Sequence, residues 1–496
     1  MRILLVSSNM HNDFRWKLPH GVVALSAYLK RYQHQTKVVV VEKKTDMRIY
    51  REALKQFNPD VVGISINFTE EQHLPVLANI AREFDQKIPV IVGGNYPILE
   101  PEKTIIIPNV DAICIGEGEE ALLEYLRKLN THDIESTNIK NIWLKKNGEI
   151  IKNDYREFID DLDGLPYMDR DAVDFQKIID QNHNTLITTV SRGSCLYKCT
   201  FCINAVFSKA GKGRWERRRS VDSVLDELAF VGKKYDYKNI NFFDEHFTSD
   251  RNWIINFCQR YAEQFKWTFD CFSHCNGLDQ EVIENLARAG CRHVFMGLES
   301  GHEYIRNKVI KKGIDIDRFI QNAELLNKYK IKAVISCMIG LPFETPEMFK
   351  QTVEVCRTIH KKQIVFSSSY GAGPQIFIYN PVPKTDLYNV CEKNGWLRIT
   401  PKSFRIYRET CLEMPQFPKS QIYHLSRLFR YQVYKDSYPL FALLFRIYDM
   451  RLTRFVTENL PEVIFSKIHL LLSFISLIMK PRIDRGDGID KRDEVY

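Results

Sequence analysis

Hydrophobic positions in the first 130 residues fall in short, separated runs. Residues 3–6, 38–41, 61–65, 90–92 and 112–115 are apolar, mostly β-branched and each followed by loop residues, the signature of strands buried on both faces. Between them, residues 22–32, 72–84 and 119–129 carry apolar residues at helical spacing. Five such βα units predict a doubly wound, Rossmann-like parallel sheet. Glycines fall just after two of the strands, Gly93-Gly94 after the fourth and Gly116 and Gly118 after the fifth. Ligands bind at that edge of such sheets, and bare backbone lets them approach closely. Two short strands, 142–146 and 149–152, flank Asn147-Gly148, a strong hairpin turn signal.

An acidic connection, 160–174, leads to a second alternating stretch. Strands are predicted at 186–190, 240–243, 268–273, 293–297, 333–338 and 376–379, with helices between most of them. Repeated βα units over this length suggest a TIM-like barrel shorter than the usual ~250 residues, hence a partial one. Beyond it strand signals vanish, and aromatics and basics mix at helical spacing. The predicted order is an amino-terminal sheet domain over 1–150, a linker over 151–185 and a partial barrel over 186–395. A mostly α-helical carboxy-terminal region follows over 396–480, then a charged, glycine-containing tail over 481–496 expected to be disordered.

Composition narrows the class. The chain has 496 residues, 44% hydrophobic and 27% charged, which excludes collagen-like, disulfide-scaffold and wholly disordered proteins. Lys and Arg number 70 against 62 Asp and Glu, a net +8, too mild to indicate nucleic-acid binding. The first residues read as a strand and not a signal peptide. No stretch of about 20 uncharged apolar residues spans a bilayer, so a cytoplasmic protein is expected. The apolar stretch 463–480 reads as a buried helix, or as an interfacial one whose Lys480 and Arg482 suit anionic headgroups; the second reading would make the protein membrane-associated.

Twelve cysteines are too few for a secreted disulfide framework. Three of them, Cys195, Cys199 and Cys202, form CxxxCxxC in the run from Ser191 to Cys202, just after a predicted barrel strand, which is the catalytic rim of such a fold. Three thiolates hold three irons of a 4Fe-4S cluster and leave the fourth open. A zinc knot would need a fourth ligand, and no matching pair lies nearby.

CxxxCxxC with Phe201 before the last cysteine resembles the signature of the radical S-adenosylmethionine (SAM) superfamily. Phe243-Asp244-Glu245, Met296-Gly297-Leu298-Glu299-Ser300-Gly301 and Ile339-Gly340-Leu341-Pro342-Phe343-Glu344-Thr345 resemble its SAM-contact segments in the expected order. Asn380-Pro381-Val382-Pro383-Lys384-Thr385 resembles a further one, with Lys384 where the family has glycine. The resemblance implies that Phe201 packs on the adenine, Asp244 or Glu245 contacts the SAM amino group, and Glu299 the ribose. The amino-terminal sheet resembles the cobalamin-binding domain of one large subgroup. The matching segments are Val61-Val62-Gly63-Ile64-Ser65, Val90-Ile91-Val92-Gly93-Gly94 and Gly116-Glu117-Gly118-Glu119. This implies cobalamin contacts at Ser65, Gly93, Gly94, Glu117 and Gly118. The DxHxxG motif whose histidine ligates cobalt in methionine synthase is absent; Asp13, His20 and Gly21 follow the first strand at other spacing. As in most of the subgroup, no histidine ligand is expected.

The resemblance implies an enzyme with a 4Fe-4S cluster, SAM and cobalamin. Its expected reaction is methylation of an unactivated carbon (or phosphinate phosphorus) of a biosynthetic intermediate through a 5′-deoxyadenosyl radical and methylcobalamin. Alternatives are a non-methylating cyclase or rearrangement enzyme on the same cofactors, a radical SAM enzyme with a vestigial cobalamin domain, and a non-catalytic iron–sulfur or cobalamin carrier. Expected partners are a small-molecule or lipid-like substrate and an electron donor such as flavodoxin or ferredoxin, with no nucleic acid. Three weaker features remain. Cys271 and Cys275 read as core or rim thiols, and His246 and His274 as rim residues able to serve as acid or base. The basic run from Lys209 to Arg219 reads either as a solvated loop or as an anion contact through Arg219.

Overall fold

In the computed structural model, residues 1–10, 18–131, 138–361, 366–367, 371–398 and 409–449 are described. The carboxy-terminal stretch 463–480 and the tail 481–496 lie outside them. Among the described residues no helix is long and apolar enough to cross a membrane.

The first sheet has the strand order β2-β1-β3-β4-β5-β6-β7. Its first five strands, β1 (Arg2–Ser8), β2 (Gln35–Val41), β3 (Val61–Ser65), β4 (Val90–Gly93) and β5 (Ala112–Cys114), run parallel. Period-two alternation assigns their side chains to two cores. Leu4, Val6, Val62, Ile64 and Val92 pack with helices α2 (Met47–Phe57) and α3 (Leu74–Phe84). Ile3, Leu5, Val61 and Ile91 face the other way, onto α1 (His20–Arg31) and α6 (Glu119–Asn130). Two short helices, α4 (Asn95–Leu99) and α5 (Pro101–Ile105), fill the β4–β5 crossover. The strand order reverses direction at β1, which opens a crevice between the carboxyl ends of β1 and β3.

The hairpin is not a free-standing appendage. Strands β6 (Ile142–Lys146) and β7 (Glu149–Ile151) extend the sheet antiparallel, with Ile142 opposite Cys114. Asn147 and Gly148 both take positive φ, 51° and 84°, as a type I′ turn requires.

The second sheet is a six-stranded, all-parallel partial barrel. In chain order its members are β8 (Thr185–Thr188), β11 (Asn239–Phe242), β12 (Thr268–Ser273), β13 (Cys291–Glu299), β14 (Lys332–Ile339) and β17 (Gln375–Ile378), and they are adjacent in that order. Two-residue strands β9 (Ser191–Arg192) and β10 (Arg217–Arg218) pair across the rim, as do β15 (Phe366–Ser367) and β16 (Gly371–Ala372) elsewhere. The barrel helices start where a side chain accepts the first free N–H: Ser220, Asp250, Asp279, Asp315, Thr345 and Thr385 each cap one, worth about 1 kcal/mol apiece. The helices Lys419–Tyr434 and Pro439–Asp449 put Ile422, Phe429, Val433 and Phe441 into the barrel's own core. This described part of the carboxy-terminal region packs with the barrel and builds no separate core.

Candidate functional site

The three cysteines lie on the loop that leaves β8. Cys199 is buried, while Cys195 and Cys202 are partly exposed. Thr200 between them anchors the loop: its N–H donates to Ile310 O (3.1 Å), its hydroxyl to Val309 O (2.8 Å), and its carbonyl accepts from Leu387 N (2.9 Å). Tyr197 stacks on His274 with ring centroids 3.6 Å apart. Burial raises all three thiols, Cys202 to about 12, and each of the three is within electrostatic reach of another. Thiolates form there only beside a strong positive centre. Among the described residues, no three His, Cys, Asp or Glu side chains close around a point as they would around one ion. Three thiols spaced along one anchored loop suit a larger body, and the all-sulfur donor set suits iron–sulfur chemistry.

The strand-end carboxylates divide. Asp244 turns inward: it accepts from Val190 N (3.1 Å) and the Ser191 hydroxyl, and burial pushes it up to about 6. Glu245 lines a cavity and accepts from Ser194 Oγ at 2.9 Å. Glu299, at a register break between β13 and β14, takes φ of 64°, a conformation costly for a non-glycine residue and common at functional sites. Its carboxylate accepts from Lys312 Nζ at 3.0 Å. Burial alone would lower the Lys312 ammonium, but Glu299 and the Cys199 thiol outweigh it and hold it above the ordinary lysine value. Lys312 also lies 6.0 Å from the Phe201 ring centre. Nothing in the local sequence marks Lys312, which reaches the site only through the fold.

Both rim histidines are committed. His274 accepts from Asn276 N (3.2 Å) on Nδ1, which leaves Nε2–H to donate to Lys312 O (3.1 Å). His246 Nδ1 accepts from His274 N at 3.4 Å. Burial lowers them to about 4 and about 3, so they sit neutral and locked. Cys271 and Cys275 are buried free thiols: Cys271 shares a hydrogen bond with Cys291, and Cys275 accepts from Asn322 Nδ2 at 3.4 Å. The basic run is not a solvated loop at its end. Arg217 is 1% exposed, Arg218 donates to Phe247 O (3.0 Å), and Arg219 is bound to Glu227 and Ser223, so it is not offered to an external anion.

Arg217 instead joins the two sheets. It donates to both carboxylate oxygens of Glu117 (2.9 and 3.0 Å) and to Ile159 O (2.9 Å). Arg192 adds a contact to Glu117 at 3.3 Å and pairs with Glu119. The Glu117 side chain is thus occupied by the barrel rim.

Between the sheets lies a cavity of about 740 Å³. One wall holds Ser65, Gly93, Gly94, Glu117 and Gly118; the other holds Gly193, Ile203, Trp215 and Glu245, beside the cysteine loop. A Cβ on Gly93 or Gly21 would meet nothing within 4 Å, so these bare backbones front open space in which a broad ring could lie. Gly94, at φ 94°, passes so close to Ile66 that a Cβ would be 2.5 Å from its carbonyl oxygen. The shape and the glycines fit a corrinoid. His20, the first residue of α1, also lines this space, and burial lowers it to about 4.

Comparison with known proteins agrees with this layout. The family model of the radical SAM superfamily matches residues 190–356, and that of the B12 binding domain matches residues 18–126. An uncharacterized methyltransferase of Pyrococcus horikoshii is 28% identical over 417 residues, covering 82% of this chain and 86% of that one. The anaerobic magnesium-protoporphyrin IX monomethyl ester cyclase of Rubrivivax gelatinosus is 24% identical over 404 residues, covering 78% and 69%. Among solved structures, the cobalamin-dependent SAM radical enzyme OxsB with aqua-cobalamin bound shares the fold at TM-score 0.61 and 22% identity. That match covers 72% of this chain and 52% of OxsB, so the chain spans about half its length.

Proposed function

We propose, from the premise that this chain belongs to the radical SAM superfamily and is a cobalamin-dependent radical SAM enzyme, that it methylates an unactivated carbon of a small or lipid-like molecule. Its cofactors are a 4Fe-4S cluster, SAM and cobalamin, and enzymes of this superfamily act on small substrates and need a reductant. When bound, the cluster and SAM supply a carbon-centred radical and cobalamin supplies a methyl group. The observation that supports methyl transfer is a cavity fronted by the glycine turns on one side and the cysteine-loop rim on the other. A substrate held there lies within reach of both cofactors at once. The named methyltransferase among the relatives points the same way.

Each residue has a part in this reading. Cys195, Cys199 and Cys202 hold the cluster, and Phe201 packs on the adenine. Glu245, the carboxylate that faces the cavity, takes the amino group in preference to the inward-turned Asp244. Glu299, held by Lys312, takes the ribose. Ser65, Gly93, Gly94 and Gly118 lie along the corrinoid, and Glu117 contributes backbone while its carboxylate holds the barrel.

The second reading is ring formation on the same cofactors, favoured by the cyclase relative. Product analysis separates the two. Methyl transfer predicts S-adenosylhomocysteine and 5′-deoxyadenosine rising in step with product. With 5′-deoxyadenosine alone, methyl transfer is wrong and the cyclase reading stands. A reconstituted protein that leaves SAM intact would be a carrier.

A further inference from the structure

We propose that Lys384 is a positioning residue: a tether from the last barrel loop that fixes the glycine turn after β4 relative to the cysteine loop. This role presupposes cobalamin in the cavity between the sheets and a cluster on the three cysteines, whichever reaction follows.

A short, bonded path joins the two places. Thr200, between Cys199 and Cys202, accepts through its carbonyl from Leu387 N at 2.9 Å. Leu387 lies in the first turn of the helix Asp386–Lys393. The cap of that helix, Thr385, accepts from Tyr388 N and donates its hydroxyl to Val382 O at 2.7 Å. Directly before the cap, Lys384 donates from Nζ to Ile98 O at 3.4 Å, across 286 positions of chain. Ile98 stands near the end of α4 and lines the cavity. A lysine can bind the last carbonyls of a helix, which lack partners inside it. The start of α4 follows Gly93-Gly94 at once and is pinned in turn. Asn95 Oδ1 accepts from Phe68 N (2.8 Å), and Tyr96 N donates to Ile66 O (3.2 Å). Motion of the cysteine loop therefore has a bonded route to the glycine turn.

The backbone marks the lysine as more than a surface charge. Lys384 takes φ of 63°, a region that side chains other than glycine enter at a cost. It stands where the resembled segment has glycine, which would adopt that φ freely. Such a conformation persists where the surroundings hold it, and here the contact at Ile98 does so. The same stretch meets the β4–β5 crossover twice more by charge: Lys384 is within electrostatic reach of Glu102, and Tyr388 of Lys103 and Glu100. This join is separate from that of Arg217 with Glu117, which follows β5. A single contact leaves two bodies free to turn about it, and a second on a different loop removes that freedom. Alignment of this kind matters to a site served from two sides, because a misplacement of about 1 Å can cost about 100-fold in rate.

The test is pulsed electron paramagnetic resonance of the full chain carrying cob(II)alamin and the singly reduced cluster. The cluster spin speeds relaxation of the cobalt spin, steeply so as the two approach. Wild type should give one narrow range of relaxation rates. Lys384→Met and Lys384→Gly should broaden it, while Lys384→Arg, which can still donate to Ile98 O, should keep it narrow. Lys384→Gly should also melt no lower than wild type, since glycine takes positive φ without strain. Broadening at an undiminished melting midpoint is what loss of a tether predicts and loss of fold does not. An unchanged range in both Lys384→Met and Lys384→Gly, equal broadening in Lys384→Arg, or a lower midpoint in Lys384→Gly each overturn the assignment and leave the cofactors in place. Wild-type protein that shows no bound cobalt signal, or no cluster signal, overturns the premise and the tether with it.

Discussion

The Glu299–Lys312 pair leaves little room around it. A Cβ on Gly297 would fall 2.2 Å from Glu299 Oε1 and 2.9 Å from Lys312 Nζ. These are side-chain tips that can swing away, so the fold should survive Gly297→Ala while the pair separates. Isothermal titration should show SAM affinity reduced about 10-fold or more, about 1.4 kcal/mol; unchanged affinity would remove Glu299 from the binding site. Cys199→Ala should abolish both the brown colour and SAM cleavage, and retained cleavage would refute the cluster assignment. A third residue reports on pH. Glu344 is fully buried, accepts from Gly340 N (2.8 Å) and Leu341 N (3.2 Å) on one oxygen, and leaves the other unpartnered. Burial pushes it up to about 8. Its folded value lies above the unfolded one, so its stabilisation is complete at low pH and is lost as pH rises through about 8. Glu344→Gln, permanently neutral, should melt near wild type at about pH 4 and progressively above it as pH rises toward about 9 by calorimetry. A lower midpoint at both would show that the carboxyl, and not its charge, matters. Motif residues such as Cys195, Phe201 and Glu299 were legible in the sequence because their chemistry is local to a short pattern. Lys312 was not, since its partner is 13 residues away across a turn and only the fold aims it.

Short elements join the two sheets, and here charge in the sequence misleads. Arg217 and Arg218 form the two-residue strand β10, paired with β9 at the start of the cysteine loop. In the sequence they sit at the end of a basic run that reads equally well as solvated. The structure buries Arg217 because Glu117, 100 residues earlier, supplies both oxygens. The hairpin is a similar case: its turn was evident from Asn147-Gly148, but its pairing to β5 was not, because sheet membership is decided by a non-local edge. Removing one partner of a buried ion pair costs about 3–5 kcal/mol. Arg217→Met should therefore loosen the join, while the methionine keeps a side chain of similar reach in the cavity wall that Arg217 lines. Formation of 5′-deoxyadenosine should persist while methylated product falls several-fold, and limited proteolysis should cut faster within 151–185. Parallel loss of both products with unchanged proteolysis would show that the pair does not align the domains.

At the scale of the whole molecule, the division into a cobalamin unit and a radical unit is correct in chain order yet incomplete as physics. The β-branched runs of β1, β3 and β4 and the alternating units of the barrel were readable because each obeys a local period. The cavity was not readable, since Gly93, Phe158, Glu245 and Trp215 meet only after both sheets and the connection between them have folded. Its walls belong to both units, so a ligand there binds a surface that neither unit presents alone. Cobalamin should then stabilise both. Ligand at 100 times its dissociation constant contributes about 2.7 kcal/mol to whichever folded species it requires. If the joined chain is that species, hydrogen exchange should slow on saturation both at the glycine turns around Gly93 and Gly118 and across Gly193 to Arg217. Protection confined to the amino-terminal sheet would mean that the corrinoid rests on the first unit only. The second wall would then belong to the substrate alone.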